Sequence, residues 1–301
     1  MSNQITAAFV QQFSDNLIML AQQRGSRLRD TVFNKVITGD AAYFERIGPT
    51  SAQLRTSRMG NSPQVDSAHS RRRVTLSDWE WGDLIDKQDE IRLLIDPQSA
   101  YAQNAAYALG RTLDDQIITA ANGAATSVTS SLTATTSSVS FTSGNIISAD
   151  FGTSTSNLTV PKLIEAKRIL LKAEVDVDME DLTIVYNASA MASLLNTTQV
   201  TSADYNTVKA LVHGDVDTFM GFHFVHSERL QGVADGTDTA PMQLLAYAKT
   251  GIGLAVGQDI VVRIDERADK SFATYVYAMM SVGAVRIEEA KVVQINCAQA
   301  S

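Results

Sequence analysis

The chain of 301 residues contains one cysteine, Cys297. That excludes an internal disulfide framework and fits assembly in a reducing cytoplasm. No apolar run approaches the length of a bilayer-spanning helix. The opening text "MSNQITAAFVQQFSDNL" lacks the basic-then-apolar layout of a signal peptide. No Gly-x-Ser-x-Gly elbow occurs, and the lone thiol has no obvious catalytic partner. A net charge of −8 argues against nucleic-acid binding by the surface as a whole.

Other chemistry is also thin. The four histidines are His69, His213, His223 and His226. His223 and His226 lie on a strand-like segment, where positions three apart face opposite sides and converge poorly on a metal. "TGIGLAVG" (250–257) is followed almost at once by the strand-like "DIVVRID", without the helix a phosphate-cradling loop needs. It reads as a turn-rich connection. "DVDMED" (176–181) lacks the central glycine and terminal glutamate of a calcium loop and reads as a solvated turn. Met279 and Met280 read as core. No catalytic, cofactor-binding or metal-binding constellation results.

What is present is patterned text. At 45% hydrophobic residues the chain can bury a sizeable core. Residues 4–30 carry apolar positions at helical spacing. Gly39-Asp40 signals a turn between two short strands. From Val74 and Leu76 to Trp79, alternation marks another strand. Residues 97–122 form the clearest element, with Asp96 at the N-cap, Pro97 at the first helical position and Gly123 past the end. Its stripe is Tyr101, Ala105, Ala108, Leu109, Leu113, Ile117 and Ala121, which predicts about seven turns. Gly110 interrupts it at a cost of about 1 kcal/mol relative to alanine.

Residues 124–143 hold thirteen Ser or Thr among twenty and no charge. They cannot build a core and predict a mobile loop, or a small hairpin using "SVSFT". Thr159 caps a second helix. The strand "LTIVYN", a short helix "ASAMASLL", a helix around 202–212, and strands at "GFHFVHS" and "QLLAYAK" follow. The tail "SFATYVYAMMSVGAVRIEEAKVVQI" alternates from Phe272 to Met280 as a strand does. The fold class is α+β.

Two charge features stand out. "LRTSRMGNSPQVDSAHSRRR" (54–73) sets Arg55, Arg58, Arg71, Arg72 and Arg73 against one acid, Asp66, for a charge of +4. Residues 78–96 set seven acids, among them Asp83, Asp86, Asp89 and Glu90, against Lys87 and Arg92, for −5. Two solvated faces balancing within one subunit would account for both. The basic stretch nevertheless has only Leu54, Met59 and Val65 as sizeable apolar side chains. Fixing each backbone residue costs on the order of 1 kcal/mol or more, which three such side chains cannot offset over twenty residues. The arm either stays disordered or uses a partner's surface.

The order of parts resembles the major capsid proteins of tailed double-stranded DNA bacteriophages, with their Hong Kong 97-like fold. "GDAAYFERIGPTSAQLRTSRMGNSPQVDSAHSRRRVTLSDWEWGDLIDKQD" is similar to the family's extended loop with its returning strand. "DPQSAYAQNAAYALGRTLDDQIITAANG", with its "LGRTLDDQII" run, is similar to the spine helix. "VPKLIEAKRILLKAEVDVDMEDLTIVYNASAMASLL" resembles the start of the axial domain, "MGFHFVHSERL" a recurring strand, and "DERADKSFATYVYAMMSVGAVRIEEAKVVQI" the closing peripheral-domain strands. The resemblance implies an N-terminal arm at 1–36, an extended β-hairpin loop at 37–80 and a peripheral domain with spine helix at 81–123. It further implies an axial domain at 124–257, including the Ser/Thr-rich loop, and return strands to the peripheral domain at 258–301.

It also implies a non-enzymatic, cofactor-free subunit that assembles in the host cytoplasm into hexamers and pentamers of an icosahedral virion shell. That shell encloses double-stranded DNA without reading its sequence and involves no membrane. With about forty residues before the loop, a separate scaffolding protein is implied, and a portal. Residues 40–80 contain no lysine, so the isopeptide crosslink of some members is not expected. The arm arginines are expected to meet Asp83, Asp86, Asp89 and Glu90 of a neighbour. Gly110 is expected either to let the spine helix bend between shell states or to permit close packing. The alternatives are an encapsulin-like compartment, sharing the fold but packaging an enzyme, and a nucleic-acid binder acting through the arginine cluster.

Overall fold

The computed structural model describes residues 21–58, 62–86, 98–128, 136–152, 156–196, 218–230 and 241–298. The fold is α+β. Strands β1 (Phe33–Val36), β2 (Ala41–Ile47), β3 (His69–Thr75) and β4 (Ser77–Ile85) precede helix α1 (Gln98–Asn122). Then come β5 (Ala125–Val128), β6 (Thr136–Val139), β7 (Ile146–Ile147), α2 (Val160–Lys172), β8 (Leu182–Tyr186) and α3 (Ala188–Leu195). The remaining strands are β9 (Thr218–Phe219), β10 (Phe222–His226), β11 (Met242–Ala248), β12 (Ile252–Arg267), β13 (Ala273–Arg286) and β14 (Val292–Cys297).

They form sheets of order β1-β12-β13-β4, β7-β14-β11-β8-β10-β9 and β2-β3-β5-β6. The chain divides into two compact units. One holds residues 1–26, 77–113 and 257–282; the other holds 27–76, 114–256 and 283–301.

In the larger unit, β8 and β11 are central strands covered on both faces. Leu182, Ile184, Val185, Leu244 and Ala246 are all buried, and their unbroken apolar runs are what such strands require. Thr159 takes the N-cap position of helix α2 without a side-chain capping bond, and Pro161 lies in the first turn, where the missing N–H is not needed. Lys162 on this helix is fully buried. Its Nζ donates to Ser156 O at 2.6 Å and Asn296 O at 3.0 Å, tying α2 to the end of β14. Asn187 caps α3 by accepting from Ala190 N at 2.9 Å. A second core of Ile37, Ala42, Phe44, Val74, Ala255 and Val285 lies under β2 and β3.

In the smaller unit, β13 pairs antiparallel with β4, from Thr274↔Ile85 to Val282↔Ser77. Val276, Ala278, Met280 and Val282 are buried on one face; the other stays open. The α1 stripe is buried at Ala105, Leu109 and Leu113, with Tyr101 and Ala108 half-buried; Ile117 and Ala121, which belong to the larger unit, are buried as well. Gly123 closes the helix through its N–H to Thr119 O at 2.8 Å. Asp96 and Pro97 lie outside the described residues.

Several expectations need correction. Residues 21–28 are not helical, and a short 3-10 turn at Arg29–Thr31 follows them. Gly25 takes φ +72, and the amides of Arg27 and Leu28 bond Asp114 rather than a preceding turn. The rest of the predicted 4–30 helix, and the helix around 202–212, lie outside the described residues. The strands flanking Gly39-Asp40 exist but do not pair with each other: β1 runs parallel to β12 and β2 antiparallel to β3. The strand expected from Val74 through Trp79 is two strands in different sheets, broken at Leu76, whose N–H bonds Asp40 O at 3.1 Å. "TGIGLAVG" is mostly strand β12. Its Gly253 makes room for a ring, since a Cβ there would lie 2.7 Å from Phe44 Cζ.

Candidate functional site

The basic arm rises from an antiparallel ladder that pairs Ala41 with Thr75 and Ile47 with His69. Gly48 N–H to Ala68 O, at 2.8 Å, adds one further rung. Beyond it, the described residues 49–58 and 62–68 are exposed and form no strand or helix. Leu54 is 89% exposed. Arg55 reaches only the nearby Ser57 O, at 3.1 Å, and Arg58 is exposed. Met59 lies outside the described residues.

Three arginines at the base behave differently from one another. On β3, Arg71 points outward, 3.6 Å from Glu45 and over the Tyr43 ring at 5.6 Å. Arg73 is half-buried on the same face. Arg72 departs from the expectation of an outward cation: it is 2% exposed, and its Nη2 meets Glu289 Oε1 at 2.5 Å. Strand alternation is the cause, since Arg72 falls on the inward face between Arg71 and Arg73.

Glu289 anchors a cluster that sequence reading missed. Arg46 lies 3.6 Å from its other oxygen and donates to Ile287 O at 2.8 Å. Arg286 is fully buried. It donates to Ala121 O at 2.8 Å, Gly123 O at 2.7 Å and Val139 O at 3.2 Å, and stacks over Phe141 at 4.8 Å. A cation at the carbonyl end of α1 complements the helix dipole. Burial holds the Arg46 and Arg286 guanidiniums below their usual values, with the neighbouring Arg72 adding to the effect.

The Ser/Thr-rich stretch contributes here too. Its strands β5 and β6 pair with each other, and β5 pairs with β3 at Arg71↔Val128 and Arg73↔Thr126. The hairpin alternative holds in part, since of "SVSFT" only Ser138 and Val139 lie in β6, and the β5–β6 pair braces the root of the arm. Residues 129–135 lie outside the described residues.

The "LDDQII" run also has a physical meaning. Asp114 is buried and accepts from the backbone N–H of Arg27 at 3.0 Å and of Leu28 at 3.2 Å. Asp115 takes the Arg229 guanidinium through both oxygens, which raises the Arg229 pKa. Adjacent carboxylates on a predicted helix were the available signal. Arg27 Nη1 reaches His226 Nδ1 and His226 O, each at 2.8 Å.

Among the acids, Asp83 and Asp86 are exposed near the end of β4, and Asp83 Oδ1 accepts from Leu84 N at 2.8 Å. Asp89 and Glu90 lie outside the described residues. A Cβ at Gly110 would lie 2.7 Å from the backbone of Gly25 and Ser26. The four acids of "DVDMED" start with an Asx-type turn, in which Asp176 Oδ1 accepts from Asp178 N and Met179 N, each at 3.2 Å.

A family model described as phage capsid protein matches residues 5–299. The chain belongs to the phage capsid protein family. No curated protein is matched by the sequence of this capsid protein. Solved structures share its fold. The capsid structure of cyanophage P-SCSP1u is 16% identical, with 100% of this chain and 97% of that chain covered, at a TM-score of 0.68. The cyanophage Pam1 capsid is 16% identical, with 98% of each chain covered, at 0.69. The capsid of Ralstonia phage GP4 is 10% identical, with 97% and 96% covered, at 0.72.

Proposed function

We propose that this capsid protein is the major subunit of an icosahedral phage head. It tiles hexamers and pentamers around double-stranded DNA, with a separate scaffolding protein and a portal as partners in the host cytoplasm. In the Hong Kong 97-like scheme, residues 1–36 are the N-terminal arm and 37–80 the extended loop. The peripheral domain then spans 81–123, with α1 as spine helix, and regains its closing strands at 258–301. Residues 124–257 are the axial domain. The subunit's work is geometric and not catalytic.

One observation carries the reading: the arm leaves a tightly braced root and then exposes its described tip with no core of its own. Its missing contacts are to be found on an adjoining copy. Arg55, Arg58, Arg71 and Arg73 supply the outward charge, while Arg72 holds the root. The receiving acids are those of 78–96, with Asp83, Asp86, Asp89 and Glu90 as the first candidates. Charge complementarity of this kind sets register more than affinity, and exposed pairs weaken with salt. Gly110 is the position at which the spine helix bends between shell states, unless its packing on Gly25 is the whole reason for glycine.

Negative-stain microscopy of the purified protein tests the reading. Closed shells, tubes or rings are expected. Small monodisperse particles, with the arm protected from proteolysis in the isolated chain, would overturn it.

A further inference from the structure

The open face of the β4–β13 pair is a built surface. Cross-strand pairs place Tyr275 opposite Leu84, Tyr277 opposite Gly82, Met279 opposite Glu80 and Ser281 opposite Asp78. The residues between them on β13 are buried, so these point outward. Tyr275 and Tyr277 stack with centroids 6.0 Å apart. Gly82 makes this possible, because a Cβ there would lie 2.2 Å from Tyr275 Oη. Tyr277 Oη donates to Glu80 Oε2 at 3.1 Å. A cleft of about 560 Å³ opens along Asp78, Glu80, Gln258, Tyr277 and Met279.

The chemistry of the cleft is that of a guanidinium receptor. Its aromatic pair already carries one such group: Arg267 lies over Tyr275 at 5.4 Å and is bidentate to Asp269. Aromatic rings attract cations to their faces, and a carboxylate beside the ring adds a charge-assisted hydrogen bond. At the other end, Asp78 and Glu80 are exposed. Tyr277 is half-exposed beside them. Arg263 of β12 acts on Tyr277 from nearby, which leaves Asp78 and Glu80 together with one more charge than this cation balances.

We infer that this cleft receives Arg55 or Arg58 from the arm of a second copy of the chain, the guanidinium on Tyr277 and between Asp78 and Glu80. This rests on the shell reading and names its contact point. Charge selects the occupant: Arg55 and Arg58 are exposed on the arm, and Asp66 is the one acid in residues 54–68. Reach permits it: from Gly48 to Arg58 an extended chain spans about 33–36 Å. Leu54, 89% exposed, gives the same segment an apolar side chain to lay along Met279.

The test uses the full chain. Arg55→Glu with Arg58→Glu, and separately Asp78→Arg with Glu80→Arg, should each lower the fraction sedimenting as assemblies by about tenfold, and combining all four should restore it. Restoration is the decisive outcome, since misfolding is not cured by a second pair of changes. An independent arm introduces cysteine at Arg55 or Arg58 together with cysteine at Glu80. Cys297 is buried and adds no background. A ladder of disulfide-linked oligomers is expected from the double variants and not from the singles. If shells form but neither rescue nor ladder appears, this docking site is wrong and the shell reading stands. If the unmodified chain makes no assemblies, the shell reading fails first and this inference with it.

Discussion

Replacing Gly110 with alanine separates two reasons for a glycine midway along a helix of 25 residues. By propensity alone, alanine should stabilise by about 1 kcal/mol. A Cβ would, however, lie 2.7 Å from the carbonyl carbon and Cα of Gly25 and from the amide nitrogen of Ser26. Favourable carbon contacts lie near 3.5–4.0 Å, so the facing backbone must retreat by roughly 1 Å. It is not free to do so. Gln23 Nε2 holds Gly25 O at 2.9 Å, and Arg111 Nη1 holds Gln23 O at 3.2 Å and Gln22 Oε1 at 2.8 Å.

Overpacking of this kind costs about 1–3 kcal/mol, which leaves a net loss of up to about 2 kcal/mol. Thermal unfolding of dissociated subunits should show a melting temperature lower by a few degrees. Amides near 25–30 should exchange faster. A melting temperature raised by the full propensity gain, with exchange unchanged, would refute the packing argument. Loss of shell expansion in that same variant would then point to the bend.

Asp114→Asn should destabilise by about 1–3 kcal/mol, because one acceptor is lost from the pair that holds the Arg27 and Leu28 amides; urea unfolding checks it. Arg286→Lys keeps the charge but loses the fork that reaches Ala121 O, Gly123 O and Val139 O. A cost of at least about 2 kcal/mol is expected, with faster proteolysis of the arm. Burial pushes the Cys297 thiol from 9.0 up to about 11. The native state therefore keeps a proton that the unfolded chain releases, so stability is complete below pH 9 and falls as pH rises towards 11. The loss is on the order of 2–3 kcal/mol, and Cys297→Ala should flatten that part of the profile. Tyr247, buried and also raised, adds a fall of the same sign above pH 10.

Local periodicity made the secondary structure legible. The α1 stripe, the alternation of β13 and the start of α2 after Thr159 all rest on interactions within a few residues. The arm was legible in part for a related reason: few apolar side chains cannot order a long stretch, yet His69–Arg73 of that stretch are strand, ordered by pairing with β2 and β5. Composition also exposed the Ser/Thr-rich stretch, but not that β5 would brace β3, since strand partners leave no mark in either strand alone.

The amino-acid sequence by itself determined an α+β chain with a long helix, late alternating strands and a basic excursion unable to bury itself. Tertiary structure decided which arginines that excursion offers. Arg71 and Arg72 are adjacent and chemically identical, yet one faces outward and the other is buried against Glu289, 217 positions away. It likewise decided that Gly82, Gly110 and Gly253 are glycines because something presses on them. The physical reason is the same in each case. Helical and strand periods are set by neighbours along the chain, whereas burial, strand pairing and close approach are set by whatever the folded chain brings in from elsewhere.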